Sequence, residues 1–165
     1  MDRCKVICHM YVSIDGKIDG KYMDEEGCDI SGEYYDDIIA SLGTSMAGGR
    51  VTNCMYHAYE NVDLSKYQDI VVPEGDYYLK AERYHFCFDR NGKSFWNDKY
   101  LMYGGKTMQN VSVLSINVKK EYLAYLREKG ISYIICHDLN EALIKIKNVY
   151  KVDCLVDRKS TRRDN

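Results

Sequence analysis

The sequence predicts one α/β domain with a mixed, mainly parallel sheet flanked by helices, and three observations predict it. Residues 111–117, 118–129, 131–136, 138–149 and 152–156 read as strand, helix, strand, helix, strand, the alternation that a parallel sheet imposes on a chain. Residues 5–12 are nearly continuously apolar, as expected of a strand covered on both faces, which places it near the middle of the sheet. Tyr34, Tyr35, Ile38, Ile39 and Leu42 then recur at helical spacing. A chain of 165 residues buries roughly two thirds of its unfolded surface, enough for one core.

The elements follow in order. Ser31 is placed as the N-cap of a helix over residues 32–42, a contribution of about 1 kcal/mol, and Gly43 as its C′ stop. The small residues of 45–49 read as a loop before a second helix running from about 50 to 59. Residues 61–106 are the least regular part, with a strand at 84–88 and a turn at Asn91-Gly92. Asp138 and Glu141 have the spacing of a capping box, followed by Ala142, Leu143, Ile146 and Val149 on one helix face. The last strand, 152–156, stops at Asp157, and no aliphatic or aromatic side chain follows. Residues 1–156 are therefore expected to form the domain, and 157–165 a charged, disordered tail. With β-type pairing lost beyond it, the 152–156 strand is expected to leave a sheet edge uncovered, which favours self-association, a homodimer included.

Composition narrows the function classes. A net charge of −2 gives no electrostatic footprint for nucleic acid, and Arg158, Lys159, Arg162 and Arg163 read as a solvated tail. No apolar run approaches the roughly 20 residues that span a bilayer. The start lacks the apolar segment of a signal peptide, so a cytoplasmic location is expected. Seven cysteines, an odd number without scaffold spacing, point to a reducing compartment. Cys8-His9 is no metal pair, because adjacent strand residues point to opposite faces.

Three strand-to-helix junctions carry chemistry. In residues 12–20 the first strand delivers Ser13 and Asp15 to its carboxyl end, where ligands of parallel sheets sit. An aspartate there accepts hydrogen bonds from ring nitrogens or an amide, and Lys17 meets an anion. Asp15-Gly16 is equally a turn dipeptide, so both readings stay open. Next, Gly48-Gly49-Arg50-Val51-Thr52 opens a helix with an arginine that can clamp a phosphate, or is a structural loop. Finally, Val113-Leu114-Ser115-Ile116-Asn117 ends a strand in two polar residues, of which Ser115 or Asn117 can simply cap the next helix.

Together these motifs resemble the carboxyl-terminal reductase domain of bacterial riboflavin biosynthesis, a family related in fold to dihydrofolate reductase. Residues 9–18 resemble its apolar strand followed by Ser-Leu-Asp-Gly-Lys, and Ile30-Ser31-Gly32-Glu33 the short motif opening its first helix. Gly49-Arg50-Val51-Thr52 is similar to the Gly-Arg-x-Thr turn that holds NADPH phosphates. Val113-Leu114-Ser115 resembles the strand end beside the adenosine and its 2′-phosphate. The resemblance covers residues 4–156. It implies a dihydrofolate reductase-like fold and hydride transfer from NADPH to a small ring or sugar-derived substrate, as in 5-amino-6-(5-phosphoribosylamino)uracil reductases. Asp15 and Ser13 would lie near the nicotinamide, and Ser31 and Glu33 at the substrate. Gly49, Arg50, Thr52, Leu114 and Ser115 would hold the cofactor.

Two departures qualify what the resemblance implies. Family members continue past the strand matching 152–156 with a Gly-Gly turn, a helix and further strands, whereas Asp157 begins a charged tail here; a truncated reading frame is expected. They also carry an Asp-x-Pro-x-Leu segment and an arginine for the phosphoribosyl group, where this chain has His57, Tyr59 and Glu60. Two other classes are weighed beside the reductase. One is a catalytically dead nucleotide-binding remnant, the other a flavodoxin-like binding module.

Overall fold

The computed structural model describes residues 2–18, 20–42 and 45–159. Among them, seven strands form one sheet: β1 (Lys5–Met10), β2 (Ser45–Gly49), β3 (Tyr84–Phe88), β4 (Tyr100–Tyr103), β5 (Lys106–Ser115), β6 (Ser132–Cys136) and β7 (Cys154–Lys159). Four α-helices accompany them: α1 (Cys28–Leu42), α2 (Arg50–Tyr56), α3 (Lys120–Lys129) and α4 (Leu139–Asn148). The sheet runs β1-β7-β2-β3-β5, every pair parallel. On the far side of β5, β4 pairs antiparallel with its first half and β6 parallel with its second. The chain is thus α/β, with a mostly parallel sheet flanked by helices.

Alternation along the strands divides the core into two layers. Ala47, Phe86, Val113, Ile134 and Leu155 point to one face and pack with Ala142, Leu143 and Ile146 of α4. Their neighbours point the other way: Cys87 and Leu114 meet α3, while Met46 and Val156 meet Tyr35 and Ile39 of α1. α2 reaches this second face through His57, whose ring lies 5.8 Å from that of His85.

The strand at 84–88 and the alternation from β5 to β7 stand where the sequence predicts them. The position of β1 does not. β1 is an edge strand: β7 is its partner, and Val6 remains 49% exposed. An apolar run records the composition of a strand, not the number of its neighbours. β7 is the interior strand instead, between β1 and β2, with Leu155 and Val156 buried on opposite faces. Among the described residues, the uncovered edge expected at β7 therefore lies at β1. The backbone ladder also carries β7 through Asp157, Arg158 and Lys159, opposite Cys8, His9 and Met10. Those three residues are strand rather than tail, and residues 160–165 lie outside the described residues.

Other boundaries move for local reasons. Residues 45–49 form β2, where Ser45, Met46 and Ala47 are buried and Ser45 Oγ accepts the Tyr84 N–H at 3.2 Å. Small side chains suit a strand packed between two others as well as they suit a loop. α1 begins at Cys28, so Ser31 lies inside it, its hydroxyl directed back to the Gly27 carbonyl, the bond short polar side chains make within helices. Gly43 lies outside the described residues. α2 ends at Tyr56, earlier than expected. The N-cap of α3 is Lys119, without a side-chain cap, so neither Ser115 nor Asn117 caps that helix.

Candidate functional site

The carboxyl ends of the parallel strands lie along one edge of the sheet, and the predicted residues divide among three of them. At the β1 end, residues 13–17 form a tight turn closed by Ser13 N–H to the Lys17 carbonyl at 2.8 Å and Gly16 N–H to the Ser13 carbonyl at 2.9 Å. Gly16, at φ +80°, supplies the left-handed residue. The Ser13 hydroxyl donates to Asp15 and accepts the Lys17 N–H at 2.9 Å. Lys17 Nζ lies 2.8 Å from Asp15 Oδ2. Lys17, then Ser13, hold the Asp15 carboxyl below its usual range. Asp15 is therefore an exposed, ionised acceptor at neutral pH, able to orient a donor but not to supply a proton.

The start of α1 is tied to the chain on either side of this turn. Tyr11 Oη donates to the Cys28 carbonyl at 3.4 Å, and the Cys28 thiol to the Tyr22 carbonyl at 2.8 Å. Ser31 follows one turn later, and Glu33 is exposed on the same helix. At the β2 end, Gly49 is extended and exposed, Arg50 opens α2 with an exposed side chain, and Thr52 is half-buried.

The β5 end carries a cavity of about 430 Å³. Leu114 and Ser115 line it, with Phe88 and Arg90 from the β3 end and His137, Asp138 and Leu139 from the start of α4. Phe88 and Val113 make its apolar wall on the sheet side, where Ser115 adds a hydroxyl, and exposed Arg90, His137 and Asp138 make its polar rim. Ser115 N–H donates to the Arg90 carbonyl at 3.0 Å, which fixes Arg90 beside Ser115. At the α4 start, Asp138 Oδ1 accepts the Glu141 N–H at 2.8 Å, and Glu141 Oε2 accepts the His137 N–H at 2.8 Å. The His137 N–H, followed by its ring and Lys145, holds the Glu141 carboxyl down at about 2.

Along the edge, β7 separates the β1 end from Gly49, and β3 separates Gly49 from Ser115. With neighbouring strands about 4.8 Å apart, the three junctions span roughly 20 Å. Leu114 and Ser115 share the cavity; Ser13 and Asp15 share the β1 turn. Arg50 is not among the cavity-lining residues; the sequence marks Asp138 as a helix cap, and does not single out Arg90 or His137 as site residues. The signal that finds them is the same strand-end rule: the 84–88 and 131–136 strands were legible, and these residues follow their carboxyl ends.

No protein-family model matches this chain, and no curated protein matches it either. Its function is read from its own residues. Among the described residues, no helix is long and apolar enough to cross a membrane, and no cluster of three His, Cys, Asp or Glu could hold a metal ion.

Proposed function

We propose that this chain is an NADPH-dependent reductase domain of the dihydrofolate reductase-like, riboflavin-reductase type, acting on a small ring or sugar-derived substrate. The observation that carries the proposal is the cavity of about 430 Å³ lined by Leu114 and Ser115, the two residues matched on sequence to the adenosine end of the cofactor. It opens at the sheet edge that also bears Gly49-Arg50 and Ser13-Asp15. Phe88, Val113 and Leu139 offer apolar walls to a purine, and Arg90 offers a guanidinium to a phosphate at the rim. The donor set thus fits a phosphorylated adenosine.

When bound, NADPH supplies the hydride. The protein's part is binding and orientation. Arg50 and Thr52 take the cofactor phosphates, the 2′-phosphate included, Leu114, Ser115 and Arg90 the rest of the adenosine end, and ionised Asp15 accepts a hydrogen bond from the nicotinamide amide or the substrate. Ser13 and Lys17 fix the carboxylate of Asp15 for that task. Ser31 and Glu33 face the substrate from α1.

The test is a fluorescence titration of NADPH and NADH. A charge-assisted hydrogen bond to a phosphate is worth roughly 1.5–3 kcal/mol, or about 10- to 150-fold in affinity. Arg50→Ala should weaken NADPH by that factor and NADH much less, and Arg50→Lys should recover only part, since an ammonium lacks the planar fork. Arg90→Ala separates the two arginines: a larger NADPH-selective loss there assigns the 2′-phosphate to the cavity rim. A wild-type chain that binds neither dinucleotide overturns the proposal.

A further inference from the structure

Behind the Arg50 turn, two thiols converge on one hydroxyl. Cys54 Sγ, on α2, lies 3.7 Å from Ser94 Oγ, and Cys87 Sγ, on β3, lies 3.6 Å from the same oxygen. Cys54 also approaches the Lys93 carbonyl at 3.7 Å. Cys87 is fully buried, whereas Cys54 is only partly so. Cys54 stands one helical turn after Arg50, on the same side of α2. We propose that Cys54 and Cys87 form a peroxide-sensitive dithiol, which closes to a disulfide, draws α2 onto β3 and shifts the Arg50 turn.

The order of events follows from access. Burial pushes the Cys87 thiol up to about 12, so the more accessible Cys54 meets the oxidant first. A hydroperoxide transfers one oxygen to Cys54; with hydrogen peroxide this gives a sulfenic acid and one water. Cys87 sulfur then attacks the Cys54 sulfur. The S–O bond breaks, and the hydroxyl leaves with the Cys87 proton as a second water. The disulfide holds the two electrons lost to peroxide, and an external dithiol restores both thiols. A reducing compartment is where such a pair serves as a sensor rather than a staple.

Ser94 must leave its position for the sulfurs to meet, and Trp96, two residues on, is buried and is the chain's single tryptophan. Its Nε1–H donates to Ser112 Oγ at 3.1 Å. Closure therefore has an optical signature independent of any cofactor. The experiment treats the purified full chain with hydrogen peroxide, blocks remaining thiols, and maps disulfides by mass spectrometry without reduction. A Cys54–Cys87 linkage is expected, with a matching change in Trp96 emission, both reversed by dithiothreitol. Cys54→Ser, a change at a partly exposed position, should abolish both. Linkage through exposed Cys8, or Cys54 still blockable at full oxidation, overturns the proposal. Regulation of the site rests on the cofactor reading: the oxidised chain should bind NADPH at least about fivefold more weakly than the reduced one. Unchanged affinity in the oxidised chain overturns that regulation. A chain that forms the linkage but never binds NADPH fails the cofactor reading alone.

Discussion

At the scale of single residues, Gly92 shows how much a short turn depends on one missing atom. Asn91-Gly92 is legible as a turn, and Gly92 N–H closes it on the Asp89 carbonyl at 3.1 Å. What the sequence does not reveal is the neighbour: a Cβ on Gly92 would lie 2.5 Å from Cδ1 of Tyr122. Tyr122 cannot yield easily, because it is buried and its hydroxyl donates to the Ser94 carbonyl at 2.7 Å. Gly92 is also at φ +66°, where a side chain costs about 1–2 kcal/mol. Overpacking adds about 1–3 kcal/mol. Gly92→Ala should therefore lower stability by about 2–5 kcal/mol in a urea titration. A loss below 1 kcal/mol would mean that Tyr122 moves freely, and the packing of α3 on this loop would need revision. Site residues divide in the same way. As candidates only, Ser13, Asp15, Leu114 and Ser115 could be placed at strand ends because strand ends are readable, whereas placing Arg90 and His137 beside the cavity required knowing that β3 and β6 flank β5.

At the scale of elements, periodicity located most helices and strands, and neighbours decided the rest. α4 illustrates the first: its capping spacing is visible in sequence, although Glu141 reaches back to the N–H of His137 rather than to that of Asp138. β2 illustrates the second, since five small residues become a strand only because β7 and β3 pair with them. The cap of α4 gives a pH prediction. Glu141 has a folded pKa of about 2 against an ordinary 4.5, lowered first by the His137 N–H and ring and then by Lys145. A depressed carboxylate contributes stability above its unfolded pKa and loses it as pH falls toward the folded value. Glu141's contribution is thus complete above about pH 5 and fades between pH 5 and 2. Glu141→Gln keeps an acceptor for the His137 N–H but no charge. Its urea midpoint should fall below wild type at pH 7, and the gap should narrow by pH 2.5. A gap independent of pH would show that the charge on Glu141 contributes nothing to α4.

At the scale of the molecule, the sheet is closed by its last strand. The class of the fold, α/β with mainly parallel strands, was legible from alternation alone. The order was not, because alternation says which segments are strands but not that β7 enters between β1 and β2. That insertion joins residues about 150 positions apart: Lys5 pairs with Cys154, and Val6 with Leu155. Non-local pairings of this kind fold slowly and make distant segments interdependent. A chain ending at residue 152 would lose Leu155 and Val156, each worth roughly 1.5–3 kcal/mol when fully buried. It would also take from β1 its partner among the described residues, and from β2 one of its two. Domain stability is typically about 5–15 kcal/mol, so apolar burial and two parallel ladders together exceed a large share of it. The shortened chain should lack a cooperative thermal transition, bind a hydrophobic dye, and keep much of its helical circular dichroism, since α3 and α4 form from local sequence. The full chain should melt in one step. A shortened chain that melts cooperatively within a few degrees of the full one would show that β1 and β2 do not depend on β7, and that the sheet closes elsewhere.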